Sequence, residues 1–146
     1  MAVRYLGYRS RSIKEIREYL KKKQVSESCI DAVVKKLLEQ KFLNDAEFAR
    51  MWVRTRVALK PLSQRVLRME LKAKGISNSI IDTVLSEQQE ESGSDFEMAR
   101  ILVQKRQKRY VGMSKEEVYA KLGGFLARRG FSYDVIKRSI DEVFSF

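Results

Sequence analysis

Apolar residues recur along this chain at the spacing of a helix. In the stretch Ile30, Val33, Val34, Leu37, Leu38 they fall at i, i+3, i+4, i+7 and i+8, on one helical face, while Lys35, Lys36 and Glu39 point away. Strands leave no comparable signal. Helix starts are marked by Ser12 with Glu15, Asn44 with Glu47 and Ser94 with Glu97, each a capping side chain three residues before an acid. Helix stops are marked by Gly75 and Gly130, where a left-handed residue is wanted, with basic residues crowding the turn before each. The pattern predicts helices over 2–9, 13–23 and 27–40, then 46–59, 63–74 and 78–90, then 95–109, 115–129 and 133–144.

Those nine segments repeat in threes. LKKKQVSESCIDAVV from Leu20, LKAKGISNSIIDTVL from Leu71 and LARRGFSYDVIKRSI from Leu126 share a leucine, a basic stretch, a turn residue, an apolar residue, a serine and an apolar helix. Ser26 precedes Ser77 by 51 positions and Ser77 precedes Ser132 by 55, so the unit recurs at a nearly fixed period. The expected architecture is all-α, a tandem array of three three-helix repeats over 1–44, 45–92 and 93–146. Units of about 50 residues form only small cores alone, so neighbours are expected to lean on each other. The acidic segment SEQQEESGSD, Ser86 to Asp95, reads as a linker.

Register also assigns side chains to the interior. Trp52 shares a face with Phe48, Ala49 and Val53 and is expected to pack in a core. Phe125, Phe131 and Tyr133 surround a helix–helix turn and are read as structural, whereas Tyr5 and Tyr8 sit on a short first helix. Cys29 aligns with Ile80 and Val135 and is expected to be a small core residue.

Composition narrows the function classes. One proline, seven glycines and 44% apolar against 34% charged residues suit a soluble helical protein. A lone cysteine excludes an intramolecular disulfide framework, and the absence of a signal-like or membrane-length apolar run leads to the expectation of a cytoplasmic protein without a membrane partner. There is no histidine, no zinc-cluster spacing and no glycine-rich phosphate loop, so no catalytic residue, metal site or cofactor is expected and a binding protein remains.

A formal charge of +11 suits a polyanionic partner. It is distributed as +6 over residues 1–44, +4 over 45–85, −3 over 86–94 and +4 over 95–146, so every repeat is basic and the linker is not. Arg65, Arg68 and Lys72 share one helical face from which Val66, Leu67 and Leu71 turn away, and KRQKR spans Lys105 to Arg109 at a helix end. The plainer reading of any one of these is a solvated face or a partner for a helix C-terminus. As a set they point to binding, and the candidates are Arg54, Arg56, Arg65, Arg68, Lys72, Lys105, Arg106, Lys108, Arg109, Arg128 and Arg129.

The stretches YLGYRSRSIKEIREYL (5–20), LNDAEFARMWVRTR (43–56), RVLRMELKAKGI (65–76) and KLGGFLARRGFSYDVI (121–136) resemble the successive motifs of the RecX family of bacterial regulatory proteins, and the resemblance covers almost the whole chain. It implies a helical-repeat protein that binds the RecA recombinase filament, and single- and double-stranded DNA in its own right, and that inhibits recombinase activity in homologous recombination, DNA repair and the SOS response. Two departures are visible: Gln24 stands where the other repeats carry glycine, so a weaker helix end or a different turn is expected there, and the chain begins almost at the first motif, without the N-terminal extension many members carry. An elongated, curved monomer with repeated basic faces suits a filament, because it can touch successive protomers and the DNA they hold. The alternative is a freestanding DNA-binding regulator, since helix pairs joined by short turns, as in KAKGIS, resemble a helix-turn-helix. Against it, no helix groups arginine with asparagine or glutamine as a compact base-reading set.

Overall fold

A computed structural model describes residues 1–7 and 9–146; the readings that touch Tyr8 lie outside the described residues. The described residues are helical throughout, without a strand. The helices are α1 (Ala2–Leu6), α2 (Ile13–Lys22), α3 (Glu27–Glu39), α4 (Asp45–Leu59), α5 (Gln64–Ala73), α6 (Asn78–Ser92), α7 (Asp95–Arg106), α8 (Lys115–Arg128) and α9 (Tyr133–Phe144), with a 3₁₀ turn at Gln107–Tyr110. Where a helix was expected to run to residue 109, α7 instead tightens after Arg106, and the chain leaves through Gly112 at φ +84. A 3₁₀ finish of this kind is a common end for an α-helix.

One device starts α2 to α9. Ser12, Ser26, Asn44, Ser63, Ser77, Ser94, Ser114 and Ser132 each precede a helix, and each side-chain oxygen accepts the amide three residues on. Each such cap satisfies one orphan N–H and is worth about 1 kcal/mol. At Ser12 and Ser94 the acid at the third position, Glu15 or Glu97, bonds back to the cap amide and closes the reciprocal box.

The turns after α2, α5 and α8 are built alike. Gly75 and Gly130 take φ +80 and +90, and each turn closes with paired amide bonds three and five residues back. Gln24 corrects the expectation of a different turn. At φ +62 it forms the same two bonds, Gln24 N–H to Lys21 and Val25 N–H to Leu20. Its side chain is exposed, so it carries a left-handed penalty but no clash. The glycines do meet neighbours: a Cβ on Gly75 would lie 2.6 Å from Lys14 Cβ, and one on Gly130 would lie 2.2 Å from Val66 Cγ2.

The chain divides into two compact units. Met1–Thr55 with Arg68–Val84 contains the core of the first repeat, in which Ile16 and Leu20 of α2 meet Ile30, Val34 and Leu37 of α3, with Ala2 and Leu43. Arg56–Leu67 with Leu85–Phe146 contains the core of the third, where α7 and α8 pack on α9 through Leu102, Val103, Val118, Leu122, Leu126, Phe131, Ile136 and Ile140. Phe48, Leu67, Leu71 and Ile81 of the middle helices are fully buried. Two expectations about the interior change. Cys29 is exposed, because it precedes Ile30 by one residue and so falls about 100° away from the buried face of α3. Tyr133, at the open start of α9, is 78% exposed and takes no part in the core, whereas Phe131 is buried.

Each repeat start also completes an earlier helix. Asp45, first residue of α4, accepts the Ile13 amide at 2.9 Å, and Asp95, first residue of α7, accepts the Gln64 amide at 3.1 Å. Burial raises both carboxyl pKa values, and the amide bond opposes that rise.

Candidate nucleic-acid interface

The eleven candidate residues occupy different electrostatic settings. On α4, Arg54 is exposed and Arg56 half-buried; on α5, Arg65 and Lys72 are exposed. Arg68 is engaged with α6, its Nη2 donating to Asp82 at 2.7 Å. The first repeat makes the same bond between Arg17 and Asp31, each 51 positions earlier. A pair repeated at that interval ties the second helix of a unit to its third, so Arg68 serves the fold of its own repeat. Both pairs are solvent-facing, and each is worth about 0.2–1 kcal/mol.

A second cluster in the same unit was not legible as a site. Trp52 is half-buried, stacks on Phe48 with ring centroids 6.0 Å apart, and donates its indole N–H to Glu70 at 3.0 Å. Lys74 stands 4.9 Å over the indole and reaches Glu15 at 3.3 Å. Burial would raise the Glu15 pKa, but the Arg9 hydrogen bond, the Ser12 amide and the charges of Arg9 and Lys74 outweigh it, so the pKa is lowered. Each cation of this network faces an acid or a ring, which makes it a brace.

The third repeat is arranged differently. Lys105 and Arg106 end α7, Lys108 and Arg109 ride the exposed 3₁₀ turn, and Arg128 and Arg129 stand at the end of α8. Arg106 and Arg129 converge on one ring, with guanidinium carbons 3.7 and 4.7 Å from the Phe125 centroid. Arg129 Nη1 also donates to the Pro61 carbonyl at 3.2 Å. Burial first, and then the charge of Arg106, lowers the Arg129 pKa. Arginine pKa values start so high that the group stays charged. Among the described residues no carboxylate forms an ion pair with any of these six cations. The structure thus gathers Arg106 and Arg129 at one point and keeps Arg68 in a structural pair. Phe125, read from sequence as a packing residue, is the hub; its signal was FLARR, an aromatic four positions before Arg129 on a helix.

Among the described residues no group of acids or cysteine could hold a metal ion, and no helix is long and apolar enough to cross a membrane.

Known proteins share this organisation. Family models for the first, second and third three-helix domains of RecX match residues 1–37, 44–85 and 94–140. Regulatory protein RecX of Bacillus cytotoxicus is 37% identical over 142 residues, which is 97% of this chain and 52% of that protein. The Bacillus thuringiensis protein of the same name is 36% identical over the same shares. The chain therefore spans about half the length of the curated relatives it matches. The crystal structure of RecX from Lactobacillus salivarius superposes with a TM-score of 0.82 at 28% identity, covering 99% of this chain and 93% of that one. A second crystal structure of a regulatory protein RecX gives 0.74 at 29%, covering 93% and 68%. Three matched domains in order, on an all-helical fold that superposes on solved RecX proteins, place this chain in the RecX family.

Proposed function

We propose that this chain is a recombinase regulator that binds the RecA nucleoprotein filament and the DNA within it, and inhibits strand exchange and ATP hydrolysis during recombination and DNA repair. The observation that carries the reading is the group of unneutralised cations in the third repeat, set in a chain of the RecX family. A basic array that meets both protein and phosphate on neighbouring protomers opposes the rearrangements a working filament needs. The reading includes a cytoplasmic, monomeric, non-catalytic protein with repeats over 1–44, 45–92 and 93–146. Titrating the chain into a RecA filament should slow strand exchange and ATP hydrolysis together, and light scattering should detect filament binding at concentrations too low to retain naked duplex. Preference for naked duplex, with recombinase activity untouched, would instead favour a freestanding DNA-binding regulator.

A further inference from the structure

Arg106 and Arg129 are held together where repulsion should separate them. Both guanidinium carbons stand over the Phe125 ring, at 3.7 and 4.7 Å from one centroid, and so lie no more than about 8.4 Å apart. Arg129 is pinned further by the Pro61 carbonyl. Arg11 stands alone over Tyr5, but several other arginines meet an acid: Arg17 meets Asp31, Arg68 meets Asp82, and Arg138 meets Asp134 at 3.6 Å. Here none is supplied among the described residues. A neutral ring orients two cations and leaves their compensating charge to come from outside.

The anion that such a pair would take can be characterised chemically. Two guanidiniums offer planar forks of N–H donors, which match the tetrahedral oxygens of a phosphate. With donor–acceptor contacts of about 2.8 Å, one phosphate accepts from both forks when the two guanidiniums reach it from the same side of the ring, which brings their carbons well inside the limit of about 8.4 Å. Phe125 already engages both arginines through its π-system, which makes it a support for them and a poor platform for a base. We propose that Arg106 and Arg129, held over Phe125, form a clamp for a backbone phosphate of the bound nucleic-acid strand. The proposal rests on the DNA-binding reading above and assigns this cluster to the nucleic acid, leaving recombinase contacts to other surfaces.

The test uses the full chain and a labelled oligothymidylate, with affinity followed by fluorescence anisotropy across a salt series. Arg106→Gln should lower affinity about fivefold to tenfold and reduce the slope of log affinity against log salt by about 0.7, the share of one phosphate contact on a single strand. Arg17→Gln removes the same net charge from a residue already paired with Asp31 and should leave the slope unchanged. Arg106→Lys keeps the charge and should recover the slope, which preserves the comparison if glutamine disturbs folding. Equal slopes for parent and Arg106→Gln would overturn the clamp, as would an Arg17→Gln loss matching that of Arg106→Gln. A parent that binds the filament but not the oligonucleotide overturns the clamp alone, and a parent that binds neither removes the functional reading as well.

Discussion

The first and third repeats align residue for residue through their helix–turn–helix, yet they differ at the positions that control charge and approach. The first carries Asp31 and Gln24 where the third carries Lys137 and Gly130. In the first, Arg17 is neutralised by Asp31 and the turn faces solvent. In the third, the acid is gone, other arginines gather without one, and the buried turn at Gly130 touches Ser63 and Val66. A single helical template thus carries an inter-helix ion pair and an open turn at one end, and an acid-free arginine pair and a closely docked turn at the other. Repetition of sequence does not imply repetition of role.

The turn contrast should give the largest effect. Gly130→Val combines a left-handed φ of +90 with a Cβ 2.2 Å from Val66 Cγ2, and should cost about 2–4 kcal/mol in chemical denaturation. Gln24→Gly should do the opposite and stabilise by about 0.5–1 kcal/mol, since the turn is left-handed already and the side chain packs against nothing that glycine would forfeit. If both variants lose stability equally, the contrast between docked and open turns is wrong.

Charge gives the next largest effect. Replacing Arg68 and Lys72 together by alanine should cost no more than about 1 kcal/mol of stability and lower the salt slope for polyanion binding by about 0.7–0.9, the share of one contact, because Arg68 is held by Asp82. A fall of two contacts' worth would show that Asp82 releases Arg68 to the ligand. Asp82→Asn sharpens the point in reverse, since freeing Arg68 should strengthen polyanion binding.

The smallest expected effects concern pH. The Glu15 pKa is lowered by folding, so its contribution is present above the unfolded value of 4.5 and is lost as pH falls through the folded one; Glu15→Gln should therefore flatten the acid limb of a thermal-melt series. The pKa values of Asp45 and Asp95 are raised, so their contributions are fully present below 3.8 and are lost as pH rises through the folded values. Asp45→Asn keeps an oxygen for the Ile13 amide and should remove only that decline.

Periodicity and serine caps placed the helices within a few residues of their observed ends, because both signals are local. The three repeats were legible for the same reason. Pairing across a turn was harder to see. The recurrence of Arg17 with Asp31 at Arg68 with Asp82 was present as a shared fourteen-residue spacing, but charge summed over a helix face hides a partner on the next helix. Phe125 was read as packing because an aromatic on a helix face usually is, and only the convergence of two chain-distant arginines reveals its second role. Cys29 was misplaced by alignment, since the matching positions Ile80 and Val135 are themselves only half-buried.

Asp45 and Asp95 have a consequence for how such chains can lengthen or shorten. Each seam consists of a helix start and an aspartate about thirty residues downstream that closes it. A cut at the apparent repeat boundary after residue 44 separates Ile13 from its acceptor, whereas excising the 51-residue segment 12–62 joins Arg11 to Ser63 and leaves the Gln64 start with Asp95. The module that these two bonds define is therefore out of phase with the repeat read from the sequence, and removing a member in that frame leaves the remaining helix start with its aspartate.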